Sequence, residues 1–141
     1  MDQRLSLATL AVSDMARSRG FFEDGLGWTP LTALDEICFY QLNGLGFALF
    51  RRADLEADAN RRIDGGFSGV ALAVNQRSRE EVDAAFARAL ASGATALKPP
   101  ALTSFGVYSG YFADLDGHVW ELAHNPGCTI DDEGRTIFSS G

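Results

Sequence analysis

The densest run of chemistry-bearing side chains lies near the C-terminal end, where Tyr111, His118, Glu121 and His124 fall within fourteen positions. The spacing His118-x-x-Glu121-x-x-His124 would gather three metal-type donors on one face of a helix. The surrounding residues read instead as a strand, where successive side chains alternate between faces. His118 and His124 then point one way and Glu121 the other, so this trio is not expected to share a metal ion. A lone carboxylate in an apolar pocket has other uses. Glu121 can accept a hydrogen bond from a ligand, pair with a cationic group or serve as a general base; equally, a neighbouring hydroxyl or water can satisfy it without any further role. Cys38 and Cys128 are far apart and lack CxxC spacing, so both are expected to be free thiols. The chain has no serine-nucleophile context, no GxGxxG after a strand and no Walker loop. Gly44-Leu45-Gly46 reads as part of a hairpin.

The elements that must position these residues can be read from periodicity. Residues 5–12 form a short apolar run suited to a mostly buried strand. Ser13 and Asp14 are cap candidates for a helix over 15–24, because a short side-chain oxygen accepts the orphan N–H groups of a first turn; Gly25 and Gly27 end it. Three strands are expected over 28–34, 36–42 and 46–51, the last two joined at Asn43-Gly44, a pair that tolerates positive φ. Residues 53–66 are polar and read as the linker between halves, with room for one helical turn. The pattern then restarts with a strand over 69–74. Ser78-Arg79-Glu80-Glu81 is a capping box, and Val82, Ala85, Phe86, Ala89 and Leu90 recur at helical spacing up to Gly93. Strands follow over 94–98, 107–113 and 119–124, with a turn at 114–117 and a stop at Asn125-Pro126-Gly127. The tail from 128 carries apolar residues without a strong period. The loop 102–108, with Gly106 and Phe105, suits a lid over a ligand.

Composition narrows the function. The chain has 141 residues, 46% of them hydrophobic and 22% charged, enough for one compact domain with a real core. Its formal net charge is −7. A nucleic-acid binder needs a Lys/Arg footprint to displace phosphate counterions, and none is present, so neither nucleic acid nor an anionic membrane surface is an expected partner. No apolar stretch approaches the roughly 20 residues that span a bilayer. The N-terminus has no basic region followed by an apolar core and cleavage site. A cytoplasmic location is expected.

The two halves repeat. Leu7-Ala8-Thr9-Leu10-Ala11-Val12-Ser13 matches Gly69-Val70-Ala71-Leu72-Ala73-Val74-Asn75, and Asn43-Gly44 matches Asp116-Gly117, each just before a final strand. The expected fold class is α+β: two βαβββ modules whose curled sheets pair around a central pocket, because a half this small cannot cover its own sheet face. The boundaries expected within a single domain 1–141 are module 1 at about 5–51, a linker at 52–67, module 2 at about 68–126, and a tail at 127–141.

Two motifs then carry a family resemblance. Val12-Ser13-Asp14-Met15, followed by Phe21-Phe22 and Gly25-Leu26-Gly27-Trp28, resembles the opening of the glyoxalase / bleomycin-resistance / extradiol-dioxygenase (vicinal oxygen chelate) superfamily. Tyr111-Phe112-Ala113-Asp114-Leu115-Asp116-Gly117-His118-Val119-Trp120-Glu121-Leu122 is similar to its closing F-x-D-P-D-G-x-x-x-E signature, with Leu115 where the family usually has Pro. The resemblance covers residues 5–126. It implies a small-molecule ligand in a central pocket and a homodimer. Many members hold a divalent metal there, while bleomycin-resistance members hold none and sequester a drug. Carried onto this chain, the four metal-ligand places are Leu7, Ala48, Gly69 and Glu121, of which only Glu121 has a donor. A tight divalent site needs at least three suitable protein ligands, so neither metal nor other cofactor is expected. The ligand-binding residues expected are Leu7, Thr9, Phe105, Tyr111 and Glu121, with Glu121 also the candidate catalytic group. Metal-free binding or sequestration is the expected function; a metal-dependent lyase, isomerase or dioxygenase of the glyoxalase type is the alternative.

Overall fold

The computed structural model describes residues 1, 3 and 5–139. The chain divides into two compact units, residues 1–66 and 67–141. Each contains a four-stranded mixed sheet with a helix after its first strand, as expected for two βαβββ modules.

In the first unit, β1 (Leu7–Val12) leads into α1 (Met15–Gly20). Asp14 caps the helix, its Oδ1 accepting from the Arg17 N–H at 3.0 Å. The last turn, Phe21–Gly25, widens to π-helical spacing, and the Trp28 N–H closes it on the Phe22 carbonyl at 2.9 Å. Strands β2 (Thr32–Ala33), β3 (Ile37–Leu42) and β4 (Leu45–Arg51) complete a sheet in the order β1-β4-β3-β2, with β1 and β4 parallel. One face carries Tyr40, Phe47 and Leu49 under the helix. The ring of Phe22 lies 5.4 Å from that of Phe47, and Trp28 lies 5.3 Å from Phe47.

The strand expected over 28–34 is cut to two residues. Trp28 is drawn into this aromatic cluster, and Pro30 has no N–H to give a ladder. The connection, read as holding one helical turn, contains the eight-residue α2 (Arg52–Ala59), three of whose residues are Ala, ended by Asn60 at φ 51°.

In the second unit, β5 (Ala71–Asn75) precedes α3 (Arg79–Ala91). Half of the capping box forms as expected, Ser78 Oγ accepting from the Glu81 N–H at 3.1 Å, while the Glu81 carboxylate reaches one residue past the cap to the Arg77 N–H at 2.9 Å. Strands β6 (Thr95–Leu102), β7 (Tyr108–Ala113) and β8 (Val119–His124) complete the order β5-β8-β7-β6, again with its first and last strands parallel. Val82, Phe86 and Ala89 of α3 cover Phe112, Trp120 and Leu122, all buried, and the Phe112 and Trp120 rings stack 2° from parallel. β6 runs four residues beyond the expected stop at Lys98, through Pro99-Pro100. Prolines are tolerated there because β6 is the edge strand and its ladder is already irregular on both sides of Lys98. The tail forms a hairpin of β9 (Cys128–Ile130) and β10 (Thr136–Phe138), its turn organised by Asp131, which accepts from the Glu133 and Arg135 N–H groups. No described helix is long and apolar enough to cross a membrane.

Candidate functional site

The closing motif is built around Asp114, whose side chain does structural work. Its Oδ2 accepts from Trp120 Nε1 at 3.0 Å, and its Oδ1 accepts from the Asp116 and His118 N–H groups at 3.0 Å each. These bonds shape the turn into β8. Burial pushes the Asp114 carboxyl up, against the pull of those donors. Leu115 in place of the family's proline does not disturb this turn; Gly117 adopts φ 83° and its N–H bonds the Asp114 carbonyl.

That turn sets the register of β8 against its neighbours. Tyr111 of β7 is the antiparallel partner of Glu121, Ala73 of β5 is its parallel partner, and Lys98 of β6 lies opposite Tyr111. Paired residues put their side chains on one face, so Lys98, Tyr111, Glu121 and Ala73 form a row across the sheet. That face is the one away from α3, since Phe112, Trp120 and Leu122 occupy the other. The rows on either side bring Ala71, Val119 and Ala113, and Asn75, Ala123 and Ser109. Mostly small side chains thus flank the phenol and the carboxylate. Tyr111 and Glu121 are half-buried, Lys98 exposed. The Tyr111 phenol is pushed up, first by burial, then by the charge of the neighbouring Glu121.

Of the five expected ligand-binding residues, the structure therefore brings Tyr111 and Glu121 together. Phe105 sits at the tip of the β6–β7 hairpin, 79% exposed. The turn beneath it is held by the Thr103 N–H to the Val107 carbonyl at 2.8 Å and by Thr103 Oγ1 accepting from the Val107 N–H at 3.1 Å. Leu7 and Thr9 belong to the first unit, on the face of β1 away from the aromatic cluster. Leu7 pairs with Gly46, leaning over it so closely that a Cβ there would lie 2.9 Å from Leu7 Cδ1; Thr9 pairs with Ala48. Lys98 went unnoticed as a site residue in the sequence because Pro99-Pro100 reads as a strand stop, and only the irregular edge pairing puts it beside Tyr111. His124, on the opposite face from Glu121, turns its Nδ1 to the Gln76 carbonyl at 3.3 Å.

Residues 4–122 match the model of the glyoxalase/bleomycin resistance protein/dioxygenase superfamily, and the chain belongs to that family. Its structure is similar to that of a glyoxalase-related enzyme from Fulvimarina pelagi, at 35% identity and a TM-score of 0.92, covering 98% of this chain and 99% of that one. A glyoxalase/bleomycin resistance protein from Albidiferax ferrireducens T118 superposes at TM-score 0.68 and 25% identity, over 86% of this chain and 98% of that one. A lactoylglutathione lyase from Agrobacterium tumefaciens shares the fold, at TM-score 0.70 and 21% identity, over 89% and 96% of the two chains.

The family's metal can be tested against the donor set. Strand pairing shifts the inherited ligand places: Ala48 faces Thr9 rather than Leu7, and Glu121 faces Ala73, while Gly69 precedes β5. In either register Glu121 is the one good donor of the set; the other places carry aliphatic side chains, a glycine or a threonine hydroxyl. Among the described residues, no three His, Cys, Asp or Glu side chains gather as a metal-holding group. This set does not fit a tightly held divalent cation.

Proposed function

We propose that this protein binds a small molecule without a metal ion, on the Tyr111–Glu121 face of its second sheet. The observation that carries the reading is the cross-strand pair itself: a carboxylate and a phenol side by side, flanked by alanines. Binding without chemistry needs a concave, largely apolar surface with a few fixed polar groups. The carboxylate accepts, so the ligand class is one that presents an N–H, O–H or ammonium donor to Glu121 and an apolar body to Ala71, Ala73, Ala113 and Val119. The working form is a homodimer in the cytoplasm, a setting that suits the free thiols of Cys38 and Cys128. Thermal-shift screening against a small-molecule library tests the reading, because a native-state ligand raises apparent stability by mass action. Stabilising compounds that lose their effect in Glu121→Gln support it. A library-wide blank would indicate a vestigial pocket, and light scattering that finds a monomer would remove the dimer.

The Fulvimarina pelagi structure, described as a glyoxalase-related enzyme, favours a second reading as a glyoxalase-type lyase, isomerase or dioxygenase. Stoichiometric Zn, Ni, Mn or Fe in purified protein, with turnover lost to a chelator, would replace the binding reading with this one.

A further inference from the structure

One pocket of the second unit lies away from Glu121. A cavity of about 280 Å³ opens where β5 and β8 end and β9 begins. Its walls include Asn75, Arg77, His124, Asn125, Cys128 and Thr129. In a chain with net charge −7, this lining holds a guanidinium and an imidazole and no carboxylate.

The nearest acids are otherwise engaged. Glu81 accepts from the Arg77 N–H, Glu80 on α3 is held by backbone and Ser78 hydrogen bonds at the helix start, and the Asp131 carboxylate is paired with Arg135 Nε at 2.7 Å. None of the three lines the cavity. The donors, in contrast, are held in place. Arg77 Nη2 donates to the Asp131 carbonyl at 3.2 Å, which ties the guanidinium to the tail hairpin and uses one of its five N–H groups. The Asn125 Oδ1 accepts from the Gly127 N–H at 2.9 Å, which leaves its amide NH₂ as the end that donates. A carbonyl accepts only, so the His124 Nδ1 facing Gln76 carries a proton. Thr129 adds a hydroxyl. A planar guanidinium fork with amide and hydroxyl donors around it matches the acceptor geometry of an oxyanion.

The geometry points to a second binding site here, for a small oxyanion: a carboxylate or phosphate group held by Arg77 with Asn75, Asn125 and Thr129. The space admits a small metabolite rather than a macromolecule. Asn75 borders the Tyr111–Glu121 row, while Arg77, Asn125 and Thr129 lie outside it, so the site does not depend on a ligand at Glu121.

The test is a ¹⁵N–¹H NMR titration at low ionic strength with sodium phosphate and, separately, sodium succinate. Saturable shifts confined to the amides of residues 75–77 and 124–130 are expected with at least one of them. A response to phosphate alone marks a phosphate ligand, to succinate alone a carboxylate, and to both a general oxyanion site. Arg77→Gln should weaken binding about tenfold, the scale of one charge-assisted contact. Because Arg77 also holds the tail, Asn125→Asp provides a second variant: it keeps the Oδ1 bond to Gly127 and places a negative charge in the wall, and it too should weaken binding. Arg61→Gln, which removes the same charge from an exposed position in the other unit, should leave binding intact. No saturable shift with either anion, shifts that map elsewhere, or wild-type affinity in both Arg77→Gln and Asn125→Asp would overturn the assignment.

Discussion

Tyr111 of β7 lies directly across the strand pair from Glu121 of β8, close enough for the carboxylate charge to act on the phenol. The carboxylate that the family signature singles out thus has a phenol as its immediate neighbour. This relationship makes the site open to spectroscopy without any knowledge of the ligand.

The phenol should titrate above the ordinary tyrosine value of 10.0, since burial and the adjacent carboxylate both disfavour the phenolate. Glu121→Gln removes the charge but not the burial. The Tyr111 titration, followed by ¹³C NMR of its Cζ, should therefore move down part of the way and stay above the ordinary value. A full return would show that burial contributes nothing; no movement would show that the two groups do not interact.

Glu23 gives the first unit an acid-sensitive clasp. Arg19 Nε and Nη2 donate to its two oxygens at 2.7 and 3.1 Å, and the Tyr40 hydroxyl donates at 3.0 Å. The Arg19 bonds hold the Glu23 carboxyl below its ordinary value of 4.5, with Tyr40 adding to the effect against the opposing influence of burial. A depressed carboxyl contributes stability that is present above the unfolded value and lost as pH falls through the folded one. Glu23→Gln should lower stability at pH 7 by about 1 kcal/mol. It should also flatten the fall in urea midpoint from about pH 5 downward. Parallel acid profiles for variant and parent would show that other carboxylates govern acid unfolding.

Asp114→Ala should be among the most damaging single changes. It removes the carboxylate that accepts from the buried Trp120 Nε1 and from the N–H groups of Asp116 and His118. The expected cost is about 2–4 kcal/mol from the unsatisfied donors, read from chemical denaturation. A loss under about 0.5 kcal/mol, the level of an ordinary surface change, would show that water replaces the carboxylate.

Gly110 and Gly46 make a contrasting pair. A Cβ on Gly110 would sit 2.8 Å from the Pro100 nitrogen and 3.0 Å from the Lys98 carbonyl oxygen, which are backbone atoms that cannot step aside. Gly110→Ala should cost about 1–3 kcal/mol and loosen the β6 edge. On Gly46 the nearest atom, 2.9 Å away, is the movable Cδ1 of Leu7. Gly46→Ala should be much milder. Equal melting temperatures for the two variants would contradict the distinction.

Much of this protein was legible from local pattern. The α+β class, the repeated module, the capping box at Ser78 and the face alternation along 119–124 all follow from period and turn chemistry. Those are properties of neighbours in the chain. That Leu7, Ala48 and Gly69 offer no side-chain donor is likewise a property of the residues themselves, whatever the fold. Tertiary structure decided what depends on partners distant in sequence. Trp28 left its expected strand for the aromatic cluster of Phe22, Tyr40 and Phe47. β6 continued through two prolines because, at the sheet's edge, no further strand asked for their missing N–H groups. Pairing register, which no single strand encodes, set Thr9 opposite Ala48 and aligned Lys98, Tyr111 and Glu121 in one row. The cavity beside Arg77 arises the same way, from strand ends and a hairpin that only folding brings together.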